Sequence, residues 1–355
     1  MINRLNEVYR KMLDDESRMI FDARLEYAFR RDELKYVKCL NDYYKDWIPV
    51  NNIGEPGEYD MILCGAGRDG EISRSLLNSW GYRITSFADK DKKKKIEGIP
   101  VLTYEEAYRK FPFGKYIIAS RKYGKEIRNG LIALGVDDNQ IVHSKWGYVS
   151  AKRGNQYFDV FAPRKNEWFI DAGVFDGDSI VGFVDWTGGY YLGITGFEPM
   201  PEAYSKANSK FENNLRINIY NYATWDQEGC LNFTFDDAGS YQNKGGKIKV
   251  LGKPIDMFLD EITLNMFGGG GEKPNIYLKM DIEGSELRAM KGARKLISTY
   301  HPRMAICVYH KVNDFIEIPA FILDIDGNYE FYMRQYFSNM AETVLYAVYK
   351  DETSI

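Results

Sequence analysis

Apolar residues in the first fifty positions recur at helical spacing. Leu5, Val8 and Met12 keep one stripe, Phe21, Leu25, Ala28 and Phe29 a second, and Val37, Leu40 and Tyr44 a third. The spacing predicts a helical segment over 1–50. Charged residues fill the faces between the stripes, which favours packing within the chain and leaves a homodimer contact as the other use of the segment. From Tyr59 the pattern changes to strand, glycine loop, helix and strand, and IPVLT, KYIIAS (Lys115–Ser120) and NQIVHS (Asn139–Ser144) continue it as a small Rossmann-like parallel α/β unit over 51–150. A second α/β unit is predicted over 151–355. In it WFID, YLGITGFEP and INIYNYAT (Ile217–Thr224) read as three successive strands, with NIYLKMD and RMAICVYH as two more. YEFYMRQY and ETVLYAVYK lie too close together for an intervening helix, so they predict an antiparallel pair at one edge of a mostly parallel sheet. Leu231 to Gly252 reads as extra strands or a loop, and GGGGEKP (Gly268–Pro274) as a flexible connection.

The chain has 355 residues, enough for two ordinary cores. Its net charge of −4 disfavours a nucleic-acid partner. No apolar run approaches the ~20 residues of a membrane span, and MINRLNEVYRK lacks the apolar stretch of a signal peptide, so a cytoplasmic location is expected. The four cysteines are far apart with no C-x-x-C, and there are three histidines, so no metal site is expected.

The most informative loop is WFIDAGVFDGDS, Trp168 to Ser179. Asp171, Asp176 and Asp178 occur there with no Lys or Arg, a poor setting for a diphosphate and a good one for a cationic nucleoside ligand such as S-adenosylmethionine. Gly173 and Gly177 permit close backbone approach, and Asp171 with Ser179 is placed for the ligand's methionine end. Glu198 ends the next strand, where it can accept both ribose hydroxyls, and Pro199 stops that strand. The end of the third strand, at Ala223, Thr224 and Trp225, is the place for the adenine.

A second charged cluster follows. In NIYLKMDIEGSEL an apolar strand carries Lys279, Asp281 and Glu283 at alternate positions, which share a face if the strand stays extended. Charges in a central strand must be paired or lie at its C-terminal mouth, where ligands bind in such sheets. A buried Lys279–Asp281 pair is the structural alternative, and Glu286 in the following helix is assigned a structural role. RMAICVYH delivers His310 to the same mouth, a candidate general base. In the first α/β unit Gly65, Gly67 and Gly70 form G-x-G-x-x-G with Asp89 after the next strand, a possible second nucleotide site. Lys90 and Lys92 to Lys95 follow, a solvated turn or a place for phosphate.

From about Trp168 to Tyr349 the chain resembles the FkbM family of S-adenosylmethionine-dependent methyltransferases. The resemblance is carried by FIDAGVFDGDS, GFEPMPEAY, IDMFLDE, LKMDIEGSELRAMKGA, HPRMAICVYH and ETVLYAVY, in that order. It implies a class I methyltransferase fold and O-methylation of a hydroxyl on a sugar, glycan or glycosylated metabolite. The first α/β unit is similar to nucleotide-binding-type domains that precede sugar-modifying enzymes. The rival readings are an NAD-dependent oxidoreductase using Gly65, Gly67 and Gly70, against which the acidic loop at Asp171 argues, and a non-catalytic nucleotide-sugar-binding scaffold.

Overall fold

The computed structural model describes residues 2–44, 53–91, 96, 98–120, 122–142, 154–236, 239–242, 245–260, 274–337 and 340–350. Lys92 to Lys95, His143 and the glycine run from Gly268 fall outside the described residues. The chain divides into two compact units. One comprises Met1–Asp22, Asn155–Arg334 and Glu342–Ile355, the other Ala23–Gly154 and Gln335–Ala341. The N-terminal helices Ile2–Arg10, Asp15–Arg30 and Glu33–Tyr43 thus form no unit of their own, and the middle one runs from one unit into the other. Val8, Met12, Phe21, Val37, Leu40 and Tyr44 are buried as their stripes predict, but Phe29 is 80% exposed.

The unit built around 23–154 holds a five-stranded sheet of β1 (Met61–Cys64), β2 (Ile84–Ala88), β3 (Val101–Leu102), β4 (Lys115–Ile118) and β5 (Ile141–Val142) in the order β3-β2-β1-β4-β5. All its pairings are parallel. The unbroken apolar run of β1 is that of a strand covered on both faces. Leu63 and Ile117 pack in one cluster with Leu76 and Phe87, while Ile62 and Ile118 pack in another with Ile127 and Leu131.

The other unit carries a seven-stranded sheet. Its strands are β6 (Glu167–Ala172), β7 (Gly193–Phe197), β8 (Ile217–Tyr220), β13 (Asn275–Met280), β14 (Arg303–Cys307), β15 (Tyr329–Gln335) and β16 (Thr343–Tyr349), in the order β15-β16-β14-β13-β6-β7-β8. The five strands from β14 to β8 are parallel, and β16 runs antiparallel to β14. This is the class I methyltransferase arrangement. The chain builds outward from β6 in one direction, then returns to build outward from β13 in the other. The C-terminal ends of β6 and β13 therefore flank the point where an open α/β sheet leaves a crevice for a ligand.

Between β8 and β13 lies a separate four-stranded sheet of β9 (Ala223–Thr224), β10 (Gly229–Asp236), β11 (Gly239–Gln242) and β12 (Ile248–Lys253). The third strand expected over Ile217–Thr224 is thereby split. The Asn221 amide donates to the carbonyls of Glu198 and Pro199, and Ala223 and Thr224 then pair with Gly252 and Lys253 of β12 instead of extending β8. No described helix is long and apolar enough to cross a membrane.

Candidate active site

Three strand ends supply the crevice. β6 delivers Asp171, fully buried, and runs into Gly173 at φ +91°. A Cβ there would lie 2.0 Å from the Asp281 carbonyl oxygen, so only glycine lets the ends of β6 and β13 come this close. Gly177, also at positive φ, is likewise required by packing. A Cβ would lie 2.6 Å from the Phe211 ring, so the fold of the chain itself demands this glycine. Two of the loop acids are less available than the sequence implies. Lys206 approaches Asp176 at 3.9 Å and Lys210 approaches Asp178 at 3.1 Å, both from the helix Pro201–Phe211.

Asp171 pairs with Lys279 at 3.0 Å, both side chains almost wholly buried, and its other oxygen accepts the Ser179 hydroxyl. Burial pushes the Asp171 carboxyl up while Lys279 pulls against it. Burial alone would lower Lys279, but Asp171 and Asp281 hold it charged. Lys279 also donates to the Gly173 carbonyl at 2.6 Å. Two expectations change as a result. Lys279 pairs with Asp171 and not with Asp281, and Asp171 has no exposed surface to offer a ligand.

β7 leads directly into Glu198, whose two oxygens accept the backbone N–H groups of Phe175 (2.9 Å) and Met200 (2.8 Å). Each oxygen keeps a lone pair for a further donor. Burial raises this carboxyl and the two N–H groups oppose the rise. Ala223 and Thr224 are buried, Ala223 packing with Phe233 and Val250 of the small sheet.

Beyond β13 the chain does not stay extended. Glu283 and Gly284 both adopt positive φ, so Lys279, Asp281 and Glu283 share no single strand face. The turn instead gathers carboxylates on His310: Glu286 Oε1 at 2.9 Å from Nδ1, and Glu283 Oε2 and Asp281 Oδ1 at 3.3 and 3.6 Å from Nε2. Glu286 is fully buried and also accepts the N–H groups of Ile282 and Gly284. Burial would push the imidazole pKa down, but Glu283 and Glu286, with Asp281, overcome this and raise it to about 11. The three carboxylates thus favour the protonated imidazole, which disfavours His310 as a general base.

Asp281 is embedded in donors, accepting from the Tyr157 hydroxyl at 2.8 Å and the Tyr309 hydroxyl at 3.5 Å. Burial pushes its carboxyl up, but Lys279, His310 and the Tyr157 hydroxyl more than offset this and hold it below the ordinary range. The single Tyr309 hydroxyl proton is shared between Asp281 and the nearer Glu342, at 3.2 Å, and Glu342 takes a further hydrogen bond from Gln156. Sequence reading passed over Gln156, Tyr157, Tyr309 and Glu342, and underrated Glu286. The one available signal was Tyr309, beside His310 at the strand mouth. Asp281, Glu286 and His310 offer ligand-type atoms within 4.8 Å of one another, as do Asp281, Cys307 and Glu342.

The fold is similar to that of methyltransferase FkbM from Methylobacillus flagellatus KT, at 17% identity over 92% of this chain and 98% of that one, with a TM-score of 0.48. Fibrillarin from Aeropyrum pernix with natively bound S-adenosyl-L-methionine aligns at 10% identity over 53% of this chain and 69% of that one, with a TM-score of 0.32. An O-methyltransferase from Bacillus cereus in complex with SAH aligns at 10% identity over 52% and 74%, with a TM-score of 0.28. No curated protein matches the chain. Residues 159–348 match the methyltransferase FkbM domain, which takes in the crevice, the Asp281–His310 cluster and more than half of the chain, and the chain belongs to this methyltransferase family.

Proposed function

We propose that this protein is an S-adenosylmethionine-dependent O-methyltransferase whose acceptor is a neutral hydroxyl compound of the sugar class. The carrying observation is the Asp281 carboxylate, fixed by Tyr157 and His310 at the crevice where β6 and β13 diverge. The crevice residues fit the cofactor. Gly173 holds the ends of β6 and β13 together at the crevice, and Glu198 keeps lone pairs for a ribose diol. When bound, the cofactor supplies a methyl group activated on a sulfonium.

Asp281 would receive the acceptor hydroxyl and take its proton, and Glu283, 41% exposed beside it, would orient the acceptor. His310 keeps the adjoining carboxylates from repelling one another, a role in place of the base first assigned to it. Lys279 and Asp171 hold the Gly173 turn. A surface of Asp281, Glu283 and Glu342 repels phosphorylated or carboxylated acceptors and suits paired sugar hydroxyls, which donate two hydrogen bonds to one carboxylate. The thiols of Cys64, Cys230 and Cys307 fit a reducing compartment, the cytoplasm.

The test is S-adenosylhomocysteine release with a panel of neutral saccharides and glycosides set against sugar phosphates and uronic acids. Turnover is expected among the neutral hydroxyl acceptors. Turnover confined to anionic acceptors, or to amines, would overturn the reading.

A further inference from the structure

Gly65 and Gly70 of the first α/β unit are packing glycines, as Gly173 and Gly177 are. A Cβ on Gly65, at φ +117°, would lie 3.0 Å from the Ala119 carbonyl, and one on Gly70 would lie 2.0 Å from the Gly65 carbonyl. Gly67 opens the helix Arg68–Ser79, and Asp89 accepts the N–H groups of Ala66 and Asp91 beside them. The loop after β6 carries the opposite anomaly. Phe175 has a glycine's backbone, φ +52°, yet bears an aromatic side chain that is 64% exposed. An exposed phenylalanine by itself is ordinary, but a bulky residue at positive φ is a backbone outlier of the kind that gathers at functional sites. Among the described residues no aromatic or cationic group meets its ring, so no contact of that kind offsets the strain.

The loop's contacts place that residue. Gly173 lies against the Asp281 carbonyl at the end of β13, where a Cβ would come within 2.0 Å. Val174 is buried over β7, since a Cβ on Gly196 of that strand would meet Val174 Cγ2 at 2.7 Å. Phe175 then donates its N–H to Glu198 Oε2 at 2.9 Å. Consecutive residues thus cross from the side of Asp281 to the side of Glu198, and with Val174 on the face toward the sheet, Phe175 takes the open face. A cofactor with its ribose at Glu198 and its methyl group passed to an acceptor at Asp281 must carry its sulfonium between the two, across this loop. The loop's own acids are already engaged, Asp171 with Lys279, Asp176 with Lys206 and Asp178 with Lys210. An aromatic ring face attracts a cation through its quadrupole and needs no counter-charge to do so.

From this we infer that the Phe175 ring is the loop's contact for the cofactor's positive charge, meeting the sulfonium with its face and favouring S-adenosylmethionine over the neutral product S-adenosylhomocysteine. The inference rests on the methyltransferase reading, with Glu198 and Asp281 at the two ends of the loop, and it gives Phe175 a part in binding and none in proton transfer. Its consequence falls on turnover. Methyl transfer removes the charge, the ring's hold weakens with it, and the product leaves more readily than the cofactor does.

The test is calorimetry on the full chain with S-adenosylmethionine and S-adenosylhomocysteine in parallel, for the wild type, Phe175→Leu, Phe175→Tyr and Phe175→Gly. Leucine keeps apolar bulk without the quadrupole, so Phe175→Leu is expected to weaken S-adenosylmethionine binding by about threefold or more while S-adenosylhomocysteine binding stays within about twofold. Phe175→Tyr keeps the ring and is expected to keep the wild-type ratio of the two affinities. Phe175→Gly loses the ring but relieves the backbone, so it is expected to lose that ratio while unfolding at no lower temperature than the wild type. A packing residue would behave in the opposite way, lowering the unfolding temperature and leaving the ratio alone. Binding of both ligands by the wild type with the ratio unchanged in Phe175→Leu and Phe175→Gly would overturn this inference and leave the cofactor reading standing. Failure of the wild type to bind either ligand would overturn the cofactor reading and the inference with it.

Discussion

Lys279→Met is expected to destabilise the unit carrying the seven-stranded sheet by about 3–5 kcal/mol at pH 8, the cost of stranding one partner of a buried ion pair. Asp171 is the group left stranded. It has no exposed surface, and among the described residues it keeps, without Lys279, only the Ser179 hydroxyl as a side-chain partner. The substitution also removes the 2.6 Å hydrogen bond to the Gly173 carbonyl, so the turn beside Asp281 loses its tether. The deficit must depend on pH. Asp171 is already raised by burial, with Lys279 as the main opposing influence, so removing the lysine raises it further. A carboxyl raised in the folded state favours folding most fully below its unfolded pKa, and that advantage is lost as pH rises through the folded value. Urea denaturation of Lys279→Met should therefore show a larger loss relative to the wild type at pH 8 than at pH 5. Equal losses at the two pH values would mean that Asp171 is not the stranded charge.

The second large effect concerns turnover. Asp281→Asn keeps the shape of the side chain but cannot take a proton, and it should lower kcat by about 10²–10⁴-fold, the usual contribution of acid–base catalysis, while leaving S-adenosylhomocysteine affinity within a few-fold. The wild-type pH profile supplies the complementary evidence. With its pKa raised to about 11 by Glu283, Glu286 and Asp281, His310 does not titrate between pH 6 and 9, so kcat should show no limb near 6.5. The same shift makes His310 a stabilising group. Its contribution is complete below the unfolded value of 6.5 and is lost only as pH rises through about 11. A limb near pH 6.5 that disappears in His310→Gln would return the role of base to the imidazole.

The sheet and its mouth were legible because parallel strands buried on both faces read as apolar runs and their last residues point to one edge. Asp171, Glu198, Asp281 and His310 all follow from that rule. The protonation of His310 was not legible. It depends on Glu286 folding back through a turn at Glu283 and Gly284, and strand alternation assigns that turn to the wrong face. Tyr157 was missed because it reaches the cluster from far along the chain, 124 residues from Asp281, and Glu342, though it opens ETVLYAVY, has no spacing that ties it to that cluster. Ala223 and Thr224 read as a continuation of β8 because their alternation fits it; the Asn221 hydrogen bonds that divert the chain depend on where β7 ends. Gly173 and Gly177 were read as room for a ligand, but the Asp281 carbonyl and the Phe211 ring, both far along the chain, are what exclude a side chain at each.

The most direct test of the central claim is calorimetric titration of the full chain and its Glu198→Ala variant with S-adenosylhomocysteine. Micromolar binding by the wild type, weakened about 100-fold in the variant while its thermal unfolding stays cooperative, is the predicted result. Absence of binding by the wild type, or equal affinity in the two proteins, would contradict a cofactor held in this crevice by Glu198.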